Sequence, residues 1–167
     1  MILESNRLRI IPLSAEQLKI LLKGVDKLER ELDLTPSNYT LNTETRDAVQ
    51  YLYDKVKTQP EETFFNTFWQ IILKPENKAV ASACFIKDTD ENGILEIGYG
   101  TNPGYRNQGI MSEAVGIMIN WAWGHPSVNC IIAETNKDNP ASHKVLEKNK
   151  MTIYKETEET YWWKLEK

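Results

Sequence analysis

Residues 94–115 read ILEIGYGTNPGYRNQGIMSEAV, and this stretch predicts how the rest of the chain is arranged. It contains an apolar strand pattern at 94–99, a Gly/Pro turn at 100–104, a polar loop at 106–109 and then an apolar helix. A strand that leads through a short loop into a helix leaves the first free N–H groups of the helix, and the positive end of its dipole, pointing at one spot. Glycine there lets a phosphate approach the backbone. The stretch therefore predicts a phosphate-binding turn.

The composition of the whole chain indicates one globular domain. With 167 residues the chain has the length of a domain that buries its own core, so we expect residues 1–167 to form a single domain. A net charge of −4 with mixed signs predicts neither a nucleic-acid partner nor an anionic membrane partner. No apolar run approaches the ~18 residues that span a bilayer. The N-terminus also lacks the pattern of a signal peptide, so we expect a cytoplasmic protein.

Cysteine and histidine spacing predicts no metal site and no disulfide framework. Cys84 and Cys130 lie in apolar, strand-like runs, which favours buried, reduced thiols. His125 and His143 have no local catalytic signature, so we interpret both as surface histidines. The spacing of the glycines at 98, 100 and 104 is one residue too long for a dinucleotide-binding fingerprint.

Periodicity and turn residues predict an α+β order of elements. The predicted strands lie at 2–12, 64–73, 78–87, 94–101, 128–134, 150–155 and 160–165, with turns at 74–77 and 88–93. The predicted helices begin at the capping box Ser14–Gln17, at Val25, at Thr43, at 108 and at Asn139, and Pro60 is expected to end the third. A polar loop is expected at 34–42.

Three segments of the chain resemble one protein family. The segment YRNQGIMSEAV is similar to the acetyl-coenzyme A pyrophosphate loop of the GNAT N-acetyltransferase superfamily, whose pattern is Arg/Gln-x-x-Gly-x-Gly/Ala. LEIGY resembles the central strand of that family, and NPASHKVLEKN resembles the Asn-x-x-Ser segment of its second coenzyme-binding helix. The order of elements also fits, so the resemblance covers essentially the whole chain. It is closest to the RimJ/RimL-like branch, which includes ribosomal-protein N-terminal acetyltransferases.

The resemblance implies a GNAT-like fold with a mixed, mostly antiparallel sheet of about six to seven strands. About four helices would flank this sheet, which would splay at its central strands. Two positions depart from the family pattern: Met111 replaces the last Gly/Ala of the loop, and Lys150-Met151 replaces the Gly-Phe that often follows the second motif. We expect different crowding around the phosphate at the first position and an altered turn at the second.

The resemblance also implies acetyl-coenzyme A as co-substrate, with no metal. Backbone N–H groups of the central strand would polarise the thioester carbonyl, loop residues would hold the pyrophosphate, and the second helix would contact the pantetheine or the sulfur. The residues implied for these three roles are, in turn, Ile97, Gly98 and Tyr99; Arg106, Asn107, Gln108, Gly109, Ile110 and Met111; and Asn139 and Ser142. Helix capping by Asn139 and a solvated position for Ser142 are the alternative interpretations.

The implied reaction is direct transfer of an acetyl group to a primary amine, either of a protein N-terminus or of a small molecule. A lysine-type amine has a pKa near 10.4, about three units above pH 7.4, so bringing it into its uncharged form costs about 4 kcal/mol. For an α-amino group, with a pKa of about 7.7–8.0, the same deprotonation costs under about 1 kcal/mol. Glu96 is the candidate base, directly or through water, because no other acidic residue lies inside the central strand. The alternative interpretation of Glu96 is that it forms an ion pair with a neighbouring strand or faces outward.

Ser142 is the candidate acid for the thiolate, with Tyr154 and Tyr99 as further candidates, because the tyrosine that many relatives use is replaced in the run Val145-Leu146-Glu147. Loop 34–42, Tyr39, Trp69 and Trp162-Trp163 are candidates for the acceptor wall, with core packing as the alternative for the aromatic side chains. A second class of function, an acyl-coenzyme A-binding sensor or interaction module without turnover, stays open. Both a monomer and a homodimer are compatible with the sequence.

Overall fold

The structure is a computed structural model that describes residues 1–58, 64–87 and 92–167. Its strands are β1 (Leu3–Glu4), β2 (Leu8–Pro12), β3 (Phe68–Leu73), β4 (Lys78–Lys87), β5 (Ile94–Thr101), β6 (Cys130–Asn136), β7 (Thr152–Glu156) and β8 (Thr160–Glu166). Its α-helices are α1 (Ala15–Lys23), α2 (Val25–Glu31), α3 (Thr43–Thr58), α4 (Ile110–Trp123) and α5 (Pro140–Lys148). Pro60 and most of the turn at 88–93 lie outside the described residues.

All eight strands join one sheet in the order β1-β2-β3-β4-β5-β6-β8-β7. Every neighbouring pair is antiparallel except β5 and β6, which run parallel. The parallel ladder covers only Ile94, Leu95 and Glu96 of β5, although β5 continues to Thr101 and β6 to Asn136. The sheet is therefore split at its centre, and the predicted splayed, mostly antiparallel α+β fold is confirmed.

The N-terminal segment forms two strands where one was predicted. The Ser5 hydroxyl accepts hydrogen bonds from the N–H groups of Arg7 and Leu8, at 3.3 and 3.0 Å, and so closes a tight turn between β1 and β2. This extra strand contributes to a sheet of eight strands, compared with the six to seven expected. Side-chain hydrogen bonds also change the course of the backbone before β3.

The strand predicted from residue 64 begins later, at Phe68. The Thr67 hydroxyl donates to the Leu13 carbonyl at 2.6 Å, and the Trp69 indole N–H donates to the Phe64 carbonyl at 3.1 Å. These bonds hold the backbone before β3 in a turn, and side-chain hydrogen bonds of this kind compete with the strand ladder.

Different helices cover the two faces of the sheet. Helix α4 buries a broad apolar face in a core that includes Leu95 and Ile97 of β5. On the opposite face, α1 and α3 pack over Phe68 and Cys84. The predicted capping box starts α1, because Ser14 and Gln17 bond each other's backbone N–H groups with their side chains.

The turn after α5 keeps the form of a glycine-ended helix although its sequence does not contain the glycine. Lys150 adopts the left-handed conformation, with φ of 63°. Its N–H donates to the Glu147 carbonyl at 2.9 Å, and the N–H of Met151 donates to the Leu146 carbonyl at 3.1 Å. This pair of bonds is a Schellman motif. The expected altered turn is therefore wrong, and the buried Met151 side chain enters the core directly after it.

Candidate functional site

A cavity of about 470 Å³ opens between the end of β5, the loop before α4 and one face of α5. Its size is in the range of small-molecule sites. The predicted site residues that line it are Tyr99, Arg106, Asn107, Gln108, Gly109, Ile110, Met111, Asn139 and Ser142. The other lining residues are Gly100, Thr101, Tyr105, Ser112, Ala141, Lys144, Val145 and Lys148. Glu96, Ile97 and Gly98 do not line it.

The N-terminus of α4 points free backbone donors into this cavity. Gly109 is the N-cap residue, with φ of 71°, and no side chain caps the helix in the described part of the chain. The N–H of Glu113 donates to the Gly109 carbonyl at 3.1 Å, so the N–H groups of residues 110–112 precede the helical ladder. Asn107, with φ of 60°, gives the loop a second left-handed turn. Such an arrangement binds an anionic oxygen such as that of a phosphate.

Met111 does not crowd this anion-binding turn. The residue is 5 % exposed, and its side chain belongs to the core under α4. The side chain is therefore packed into the core although Met111 lines the cavity, which argues against the crowding that we expected from the missing glycine or alanine.

Sequence reasoning missed a clamp that holds the loop from the N-terminal hairpin. Arg7 donates from Nη1 to the Gln108 carbonyl at 3.1 Å and pairs through Nε with the Glu113 carboxylate at 2.6 Å. Ser5 donates its hydroxyl proton to the same carboxylate at 2.5 Å. Burial by itself raises the pKa of Glu113, but the hydrogen bonds from Ser5 and Arg7 and the guanidinium charge together hold that pKa below its ordinary value.

The wall formed by α5 is tied to β5 by Tyr99. The Tyr99 hydroxyl donates to the Ser142 carbonyl at 3.1 Å, and burial raises the pKa of Tyr99 above its ordinary value despite this bond. A phenol committed in this way is a poor proton donor to a ligand. Asn139 caps α5 by accepting from the N–H of Ser142 at 3.2 Å, so the capping interpretation of Asn139 is confirmed. Asn139 and Ser142 nevertheless both line the cavity.

The same wall carries two cations that were not predicted, Lys144 and Lys148. Together with Ala141 and Val145 they follow the spacing of one helix face, at positions 141, 144, 145 and 148. This helical spacing, counted from the predicted start of the helix, was the sequence pattern from which the two lysines could have been predicted to line the site.

The strand β5 presents one backbone edge to the gap in the sheet. The N–H of Asn102 donates to the Val80 carbonyl at 2.9 Å, and backbone groups alternate in direction along an antiparallel pair. The N–H of Gly98 therefore points to β4, whereas those of Ile97 and Tyr99 point to the β6 side. Because the ladder to β6 ends at Glu96, the N–H of Tyr99 faces the gap.

Glu96 lies on the face of the sheet opposite to the cavity walls. Leu95 and Ile97 point into the core under α4, so the alternation of side chains places Glu96 on the face that also carries Cys84. Glu96 is half-buried there, and its charge helps to raise the pKa values of Cys84 and Tyr154, for which burial is the largest cause. The pKa of Cys84 reaches about 12, so this thiol stays protonated. Tyr154 is 45 % exposed beside this face.

The other residues that we considered do not line the cavity. Trp69 and Trp163 are core residues, so the packing interpretation holds for them, while Tyr39 and Trp162 are half-buried. His125 and His143 are half-buried against aromatic rings and were not simple surface residues. Both cysteines are free, Cys84 buried and Cys130 half-buried.

The described ranges contain no cluster of three or more His, Cys, Asp or Glu side chains that could hold a metal ion. In the same part of the chain, no helix is both long enough and apolar enough to cross a membrane.

Comparison with known proteins agrees with this geometry. Residues 7–152 match the family model described as Acetyltransferase (GNAT) domain. The chain is 31 % identical over 162 residues to the uncharacterized N-acetyltransferase YjdG of Bacillus subtilis (strain 168), covering 96 % of each protein. It is 27 % identical over 130 residues to the uncharacterized N-acetyltransferase p20 of Bacillus licheniformis, covering 78 % of this chain and 68 % of that protein.

Solved structures share the fold at low sequence identity. A GNAT-family acetyltransferase from Bacillus anthracis superposes with a TM-score of 0.67 at 22 % identity, covering 99 % of this chain and 98 % of the other. RimL, a ribosomal L7/L12 α-N-protein acetyltransferase in complex with coenzyme A, gives a TM-score of 0.72 at 18 % identity, with coverage of 99 % and 98 %. The ribosomal-protein-S5-alanine acetyltransferase of Vibrio fischeri gives 0.72 at 16 % identity, with coverage of 99 % and 96 %.

Proposed function

Because this chain belongs to the GNAT acetyltransferase family, we propose that it transfers an acetyl group from acetyl-coenzyme A to a primary amine of a peptide N-terminus or a small molecule. The observation that carries the proposal is the uncapped N-terminus of α4, which opens into the cavity beside the gap between β5 and β6. Free backbone donors suit the pyrophosphate, and the gap gives an extended chain such as pantetheine a backbone edge to follow.

In this proposal the cavity residues divide the binding of the coenzyme among them. The N–H groups of residues 108–111 hold the pyrophosphate, with Arg106 and Asn107 beside it, and Asn139 lines the path of the pantetheine. Arg106 is preorganised, since its Nε donates to the Thr101 carbonyl at 3.3 Å. When bound, the coenzyme supplies an acetyl group activated as a thioester. The N–H of Tyr99 faces the gap where the thioester carbonyl would lie, and it would stabilise negative charge on that oxygen.

The acceptor would reach the gap from the opposite face of the sheet, where Glu96 lies. A half-buried carboxylate at this point would remove a proton from the incoming ammonium, directly or through water. Ser142, which lines the cavity, would return a proton to the departing thiolate. No hydrogen bond from the Ser142 hydroxyl occurs in the part of the chain that the structure describes, so that hydroxyl is available to a ligand. Base and acid would thus act from opposite faces of the gap.

An α-amine is the acceptor that this site serves with least difficulty. Its pKa of about 7.7–8.0 leaves a substantial neutral fraction near pH 7.4, so a single partly buried carboxylate is a sufficient base. Two of the structurally similar proteins carry names that refer to acetylation of ribosomal proteins, one of them of an α-amine. Peptides with a free N-terminal alanine are therefore the first acceptors to screen, followed by peptides with other free N-terminal residues and by small primary amines.

The proposal is tested in two steps on the purified chain. Isothermal titration with acetyl-coenzyme A should give one site per chain, and thiol release should then follow on a panel of peptides and amines. If acetyl-coenzyme A does not bind to folded protein, the co-substrate assignment is wrong. Tight binding without product on the whole panel would support the sensor or interaction module.

Replacement of Glu96 tests the base. We expect Glu96→Gln to lower kcat/KM at pH 7 by about 10²-fold and to leave the affinity for acetyl-coenzyme A unchanged, because Glu96 lies outside the cavity. The loss should shrink at higher pH, where more of the amine is already neutral. The matched control is Glu166→Gln, which changes an exposed carboxylate on β8, two strands away from β5 in the sheet. If Glu96→Gln keeps full activity across the pH profile, Glu96 is not the base.

A further inference from the structure

We propose that Lys144 and Lys148 form a second anion site on the α5 wall, which binds the 3′-phosphate of coenzyme A and distinguishes it from 3′-dephospho-coenzyme A. The inference rests on the proposed function, since it concerns the same coenzyme. It goes further by assigning two lysines, which the resemblance gave no role, to a separate chemical group of the ligand.

The charge of the cavity is the first argument. Its lining contains three cations, Arg106, Lys144 and Lys148, and none of the lining residues in the described ranges is an aspartate or glutamate. The chain as a whole has 24 acidic and 20 basic residues. A concave surface that is purely cationic in an acidic protein attracts a multiply charged anion, because low-dielectric walls focus the field.

The placement of the two lysines on α5 is the second argument. Lys144 and Lys148 are four residues apart, and like charges at this spacing destabilise an isolated helix by a few tenths of a kcal/mol. Among the described residues neither lysine forms an ion pair, in contrast to Lys137, which pairs with Glu156 at 2.6 Å directly before α5. Glu147, the acidic residue between them, does not line the cavity. The helix therefore presents two uncompensated ammonium groups to the space that a ligand would fill.

The separation of the donors is the third argument. The free N–H groups of α4 and Arg106 lie on one wall and already provide for a pyrophosphate. Lys144 and Lys148 lie on the facing wall, so they are placed for an additional anion. Coenzyme A has one such group, a phosphate monoester on the 3′-oxygen of its ribose. A dianionic monoester gains more from two ammonium groups than a pyrophosphate oxygen with a single charge does.

The test compares two ligands that differ only in this phosphate. Affinities for coenzyme A and 3′-dephospho-coenzyme A are measured by isothermal titration at low salt for the wild-type chain, Lys144→Gln, Lys148→Gln and the double variant. We expect the wild-type chain to bind coenzyme A at least about tenfold more tightly. Each single variant should reduce this ratio about threefold, and the double variant should bring it to about one. The affinity for the dephospho ligand should stay within about twofold.

Lys27→Gln is the matched control, because Lys27 is an exposed helical lysine far from the cavity, on α2. It should leave both affinities unchanged, and thermal unfolding should show that all variants are folded. A wild-type ratio near one overturns this inference and leaves the proposed function intact. An equal loss for both ligands in the double variant also overturns it, because the lysines would then act on the pyrophosphate or on the net charge alone. If neither ligand binds to the wild-type chain, the proposed function fails as well.

Discussion

The clamp from the N-terminal hairpin to the phosphate loop gives a quantitative prediction for Glu113→Gln. The wild-type carboxylate accepts from Ser5 at 2.5 Å and from Arg7 at 2.6 Å. The side chains of Arg7 and Glu113 are 40 % and 29 % exposed, so solvent screens the pair and we assign it only about 0.5–1 kcal/mol. The charge-assisted bond from Ser5 adds about 1 kcal/mol. We therefore expect Glu113→Gln to lower the free energy of unfolding by about 1–2 kcal/mol at pH 7.

The pH dependence of this loss follows from the lowered pKa of Glu113. A carboxyl whose folded pKa lies below its unfolded value, about 4.3, stabilises the fold above that pH and loses this contribution as the pH falls through the folded pKa. The difference between wild-type and Glu113→Gln should consequently be constant from pH 7 to about 5 and shrink below about pH 4. Urea unfolding at a series of pH values measures it.

A double-mutant cycle with Arg7→Met separates the ion pair from the other contacts of Glu113. We expect a coupling energy of about 0.5–1 kcal/mol, and a loss of affinity for coenzyme A of about three- to tenfold in both single variants, because Arg7 also holds the Gln108 carbonyl. Additive effects of the two substitutions, or a stability loss that does not change between pH 7 and 3.5, would refute this reasoning.

Four further substitutions test local features of the fold. Lys150→Gly should raise the free energy of unfolding by about 1 kcal/mol, and the melting temperature by about 2–4 °C, because Lys150 occupies a left-handed position with φ of 63°. Gly109→Ala should cost about 1 kcal/mol and weaken coenzyme binding, since φ there is 71°, whereas Gly104→Ala should be nearly neutral, since a Cβ would meet nothing within 4 Å. Tyr99→Phe should cost about 1 kcal/mol at pH 7 through the lost bond to Ser142. Burial raises the pKa of Tyr99, so ionisation of the unfolded chain above about pH 10 favours unfolding, and Tyr99→Phe should reduce this alkaline loss in denaturation curves.

Local patterns in the sequence predicted the elements and the phosphate loop, because their causes lie within a few residues. The Ser14 capping box, the Gly109 turn and the Asn139 cap are all of this kind. The contact of Arg7 with Gln108 joins residues 101 positions apart, and nothing near either residue indicates it. Such contacts depend on which strands become neighbours, which local periodicity does not determine.

The candidate site was predictable on its coenzyme side and much less so on its acceptor side. In the proposed site the coenzyme would be bound by backbone groups, and the glycine and loop pattern indicates where those groups become free. The acceptor side depends on which side chains the sheet places around Glu96, and there the aromatic candidates Trp69 and Trp163 are buried in the core. Whether such aromatic side chains are buried depends on the register of strands distant in the sequence and on which helix covers each face of the sheet.

The early end of the ladder between β5 and β6 also bears on how cooperatively the domain unfolds. The pairing of these two strands ends at Glu96 and Ile132 within the described residues, so beyond that point the two parts of the sheet are connected mainly through the core under α4. A ligand seated in the gap would brace the two parts against each other, in the manner of a missing strand. We expect amide hydrogen exchange at Tyr99, whose N–H faces the gap, to be faster than at the paired positions of β5 in the ligand-free protein, and to slow when coenzyme A binds.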